Sequence, residues 1–106
     1  MSSSEEVARK LDALWQRFLP TILARLAAIE VAIESLETGR LDRERNRNAS
    51  EEAHKLAGSL GIFGLASTSA MSSEIENLLS QPDLAESMAA ELRKMFDSIK
   101  REIENR

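Results

Sequence analysis

Ala49-Ser50-Glu51-Glu52-Ala53-His54-Lys55-Leu56-Ala57-Gly58-Ser59-Leu60-Gly61-Ile62-Phe63-Gly64 is the stretch on which the reading of this chain turns. Ala49, Ala53, Leu56, Leu60 and Phe63 recur at intervals of three and four, which gathers them on one side of an α-helix. At ~100° per residue, His54 falls roughly 130° from the centre of that stripe and is expected in solvent at the flank of the fold. Gly58 and Gly61 lie within about 40° of the same line, so no side chain stands above the imidazole. Each glycine inside a helix costs ~1 kcal/mol relative to alanine. Two of them on the face that carries the chain's one histidine fit steric access, because no Cβ holds a partner away from the ring. The plainer explanations are a loosened helix end or the close approach of a neighbouring helix.

The same periodicity extends in both directions. Ser3 with Glu6 has the spacing of a capping box, and Val7, Leu11, Leu14, Trp15 and Phe18 form an apolar stripe that Pro20 is expected to end or kink. A second helix over about 20–38 carries Ile22, Leu26, Ile29, Ile33 and Leu36, with Gly39 placed as a left-handed C-terminal cap. The charged run 40–50 offers two caps for the third helix, Asp42 and Asn48, and the earlier start is favoured. That helix stops at Gly64. A fourth over about 66–80 is expected to bury Ala70, Met71, Ile75, Leu78 and Leu79, with Gln81-Pro82-Asp83 as its stop. The fifth, over about 83–104, uses Leu84, Met88, Leu92, Met95, Phe96, Ile99 and Ile103. Short connections make consecutive helices antiparallel neighbours. The expected fold class is therefore all-α: an antiparallel up-down four-helix bundle with an additional N-terminal helix, built as a single domain over 1–106.

Composition agrees with this reading and excludes several function classes. The 106 residues are 42% hydrophobic and only 4% aromatic, with no tyrosine, a poor supply for a sheet. The absence of cysteine removes disulfides, thiolate zinc sites and thiol catalysis. No segment has the ~18 consecutive apolar residues of a membrane span, and the start lacks the features of a secretory signal, so a cytoplasmic location and no membrane partner are expected. The net charge of −4 disfavours nucleic acid as a partner. Charge is unevenly placed: from Leu56 to Leu92 there is no Lys or Arg, while Glu74, Glu76, Asp83, Glu86 and Glu91 all fall there.

The segment Ala53-His54-Lys55-Leu56-Ala57-Gly58-Ser59, with Gly64 behind it, resembles the active helix of histidine-containing phosphotransfer (HPt) domains, whose usual pattern is A-H-x-L-K-G-S followed by a later glycine. Glu74-Ile75-Glu76 is similar to the acidic-apolar-acidic close of that motif. The close match spans about 53–79, and the remaining helices fit by number and length. The resemblance implies a phosphorelay intermediate in two-component signal transduction. In that role His54 accepts a phosphoryl group from an aspartyl phosphate on one receiver domain and passes it to another, as a phosphohistidine carrier rather than a turnover enzyme. Response-regulator receivers or a hybrid sensor histidine kinase are the implied partners. No cofactor is implied on this chain, and Mg²⁺ is expected on the receiver. The chemistry suits the residue: neutral imidazole is a nucleophile that forms a covalent intermediate. One position departs from the pattern. The family's lysine three residues after the histidine is here Ala57, and Lys55, about 100° round the helix, substitutes only by reaching across.

Ser50 and Glu51, one turn before His54, are candidate supporting residues, with Ser50 able to bond the imidazole or phosphate. Ile62, opposite the apolar stripe, joins Gly58 and Gly61 as a candidate docking patch. Arg40, Arg43, Arg45 and Arg47 offer positive charge to an acidic receiver pocket. Three other readings compete. A helix-turn-helix fails for want of cations on the helix after the turn. A di-iron site would need a second Glu-x-x-His motif, and one histidine cannot supply it. A helical adaptor or dimerisation bundle, in which His54 has no chemical role, would be untouched by His54→Gln.

Overall fold

In the computed structural model, residues 3–106 are described, and among them all regular structure is helical. Helix α1 spans Ser3–Glu37, α2 Arg43–Ile62, α3 Ala66–Leu79 and α4 Ala89–Glu104, with one 3₁₀ turn at Glu86–Met88 before the last. Each helix packs on the next, and α4 closes the bundle against α1. The core is Ile22, Ile29, Ile33 and Leu36 of α1, Leu56 and Leu60 of α2, Ile75 of α3, and Leu92, Phe96 and Ile99 of α4.

The all-α bundle stands, but the separate N-terminal helix does not. Pro20 lies inside α1, and the stripes on either side of it belong to one 35-residue helix. Proline removes a single backbone donor here, and both Pro20 and Gln16, one turn before it, are exposed, so water can meet the freed carbonyl. Packing on both sides of the proline holds the rod together. Trp15 stacks edge-on against Phe63, ring centroids 5.2 Å apart, and Arg106 lies over the Trp15 ring. Only Trp15 of the first stripe is buried, while Val7, Leu14 and Phe18 remain exposed.

The chain reverses where the glycines predict. Gly39 and Gly64 adopt φ of +74° and +76°, and the amides that follow them close back on the helix ends, Arg40 N–H to the Ser35 carbonyl and Leu65 N–H to that of Leu60. Asp42 caps α2, its carboxylate accepting from the Arg45 amide at 3.0 Å, which settles the earlier of the two starts. Helix α3 buries Thr68, Ser72, Ile75 and Leu79 rather than Ala70, which is exposed. The fourth bundle helix begins at Ala89, not near Asp83, and Leu84 is buried from the linker. An arginine clamps the two outer helices: Arg93 of α4 donates to both oxygens of Glu37 and to Glu30 of α1.

Candidate functional site

Helix α2 presents His54 on its water-facing side, with the ring 74% exposed. Its Nδ1 lies 3.1 Å from the carboxylate of Glu76 on α3. An ionised carboxylate only accepts, so Nδ1 is the donor in this contact, and in the neutral ring the lone pair is then on Nε2. Glu76 is itself held in place, because the Ser50 hydroxyl donates to the Glu76 backbone carbonyl at 3.0 Å. That corrects the expectation for Ser50. It is buried and bonds the backbone beneath the acidic partner rather than the imidazole. The reason is that residue 50 falls on the α2/α3 seam, where a hydroxyl needs a partner inside the protein.

Ser50, Glu51, His54, Lys55 and Glu76 line one recess. Lys55 shares that recess but directs its ammonium to Glu52, 3.5 Å away. Glu52 also faces Arg25 of α1, and Arg25 in turn donates to Ser59. Ala57, at the position of the missing lysine, is buried against α3, with its carbonyl accepting from Ser69 at 2.7 Å.

The glycines differ from the packing explanation. A Cβ added at Gly58 would meet nothing within 4 Å, and one at Gly61 would make an ordinary contact of 3.5 Å with Ser69 Oγ. Neither glycine is required by a neighbouring helix, so the bare surface beside the histidine is not a by-product of packing. Ile62 follows at 76% exposure, the most exposed large apolar side chain described. The arginines divide. Arg43 and Arg47 border a groove that runs from the linker to Ser50, whereas Arg45 turns to Ser35 of α1.

Glu76 is the residue that wheel geometry did not assign. The Glu74-Ile75-Glu76 triplet was its only trace, since pairing across helices leaves no mark in the periodicity of one. Among the described residues no group of three or more His, Asp or Glu converges as a metal site, and no helix is long and apolar enough to cross a membrane.

Residues 13–102 match the Hpt domain family. Protein RcaC of Microchaete diplosiphon is similar at 32% identity over 74 residues, which is 70% of this chain and 11% of that protein. The chain thus spans about a ninth of the length of that curated relative. No solved structure matches it. The family match covers most of the chain, including the helix that bears His54 and the helix that bears Glu76. The chain belongs to the Hpt domain family, the histidine phosphotransfer modules of phosphorelays, which work with receiver domains and kinases.

Proposed function

We propose that His54 is the phosphoryl acceptor of this Hpt domain, loaded from an aspartyl phosphate of one receiver domain and discharged to the aspartate of another. The observation that carries the reading is the histidine's two unequal nitrogens. Nδ1 is engaged by Glu76, Nε2 has no hydrogen-bond partner among the described residues, and Gly58, one turn further along the helix, adds no side chain to the surface there.

In the forward step the Nε2 lone pair attacks the phosphorus of the aspartyl phosphate. The N–P bond forms as the P–O bond to the aspartate breaks, and the aspartate departs as carboxylate. The ring is left as a phosphorylated imidazolium whose Nδ1 proton faces Glu76, and the carboxylate offsets the new positive charge. Return to a second receiver reverses these bonds: a carboxylate oxygen attacks phosphorus and the N–P bond breaks. This chain supplies the nucleophile and its orientation, and in this reading the Mg²⁺ is contributed by the receiver. Lys55 is the cation nearest the histidine in the recess and takes up part of the phosphoryl charge in place of the absent lysine at position 57.

The test is a transfer profile against phosphorylated receiver domains from the same genome. At least one should place an acid-labile, alkali-stable label on the protein, and His54→Gln should abolish it. A chain that takes no label from every receiver in the panel is not a phosphotransfer intermediate.

A further inference from the structure

A groove of about 370 Å³ lies between the first turns of α2 and the linker that joins α3 to the 3₁₀ turn. Its apolar wall includes Leu41, Leu79 and Leu84, and Leu41 is 55% exposed. Arg43 and Arg47 form its charged edge. Neither arginine has an ion-pair partner within 4.0 Å among the described residues, in a chain whose net charge is −4.

The groove is continuous with the histidine recess, because Ser50 and Glu51 line both. Arg47 precedes His54 by two helical turns, roughly 10 Å along the axis, and on nearly the same line. A protein seated on the ring therefore covers the groove as well. From this geometry we propose that the groove is a selectivity pocket of the docking face, which takes from the partner receiver an apolar side chain neighboured by a carboxylate. The apolar side chain fills the space against Leu41 and Leu84, and the two guanidiniums hold the carboxylate. This rests on the phosphotransfer reading and adds to it the feature by which this chain selects among receivers.

Two phosphoryl donors separate the parts of the claim: the receiver that transfers fastest in the panel above, and phosphoramidate. The latter is a small donor that loads imidazole by releasing ammonia and needs no docking. The double variant Arg43→Glu/Arg47→Glu should lower the ratio of receiver-dependent to phosphoramidate-dependent labelling of His54 at least tenfold. Leu41→Ser, at a position too exposed to threaten folding, should lower the same ratio at least threefold. Ratios within twofold of wild type in both variants would overturn the proposal, and so would equal losses with both donors, which would make the groove a support for His54 itself. Wild-type protein labelled by phosphoramidate but by no receiver would instead remove the phosphotransfer reading, and this inference with it.

Discussion

A carboxylate lies 3.1 Å from Nδ1 of His54, and in the proposed transfer it sets which end of the ring reacts. Glu76→Ala should therefore slow transfer from a cognate receiver by about tenfold or more, equivalent to about 1.4 kcal/mol of activation free energy. Long-range ¹H–¹⁵N spectra should show the Nδ1-protonated tautomer in the wild type and its loss in the variant. An unaltered tautomer would show that the contact does not orient the ring. Gly58 separates access from stability, because a side chain there meets open space. Gly58→Ala should raise stability by about 0.5–1 kcal/mol through the helix preference alone. Gly58→Leu should keep the fold and slow receiver transfer severely, and undiminished transfer would show that access does not limit the reaction. At this scale the sequence located His54 on the exposed flank and both glycines beside it, since all three share one helix and its fixed angular step. Ser50 and Glu76 were beyond that arithmetic. Their roles depend on how α3 is rotated against α2, and no single helix encodes that rotation.

Helix α1 runs through Pro20, and the reason lies in what flanks the proline rather than in the proline. Pro20→Ala restores one backbone donor and relieves the ring clash. It should raise the unfolding free energy, by up to about 3 kcal/mol, the interior proline penalty, as read from denaturant melts. A proline signal therefore misleads when buried residues on both sides, here Trp15 and Ile22, fix the axis independently. The late start of α4 has a similar cause. Leu84 already fills its core position from the linker, and the apolar repeat continues through it without any need for helix. Capping was readable in advance because it is local: Asp42, Gly39 and Gly64 satisfy groups within five residues of themselves. The clamp between α4 and α1 was not, since Arg93 and Glu37 are 56 positions apart. Its hydrogen bond from Arg93 holds the Glu37 carboxyl below the usual carboxylate range. A depressed folded-state value adds stability above the unfolded pKa and loses it as pH falls through the folded one. The melting difference between wild type and Arg93→Ala should accordingly be present at pH 7 and shrink as pH drops below about 4.3, the ordinary glutamate value. A difference that stays constant to pH 2 would show that packing of Arg93 on Phe96, not the ion pair, accounts for it.

The whole molecule is an elongated body of 55 × 19 × 19 Å, longer than its four-helix core because α1 has 35 residues against 20, 14 and 16 in the others. The core gathers between Trp15 and Leu36 of α1, and the first turns of that helix add little to it. Removing residues 1–10 should leave the melting temperature within about 4 °C, a change of less than about 1 kcal/mol for a domain of this size. A larger drop would show that the exposed Val7 stripe holds the fold in some way not visible in its burial. Arg25 contacts Lys55 and Ser59 across the bundle, so His54 stands level with the middle of α1. Ser3 then sits some 22 residues further along the rod, roughly 33 Å away. An affinity handle or fluorophore joined at that tip, or a surface that immobilises the protein by it, would leave the ring facing bulk solution. Kinetics recorded on such a sensor chip would then report the collision of the two proteins rather than the obstruction of one by its anchor.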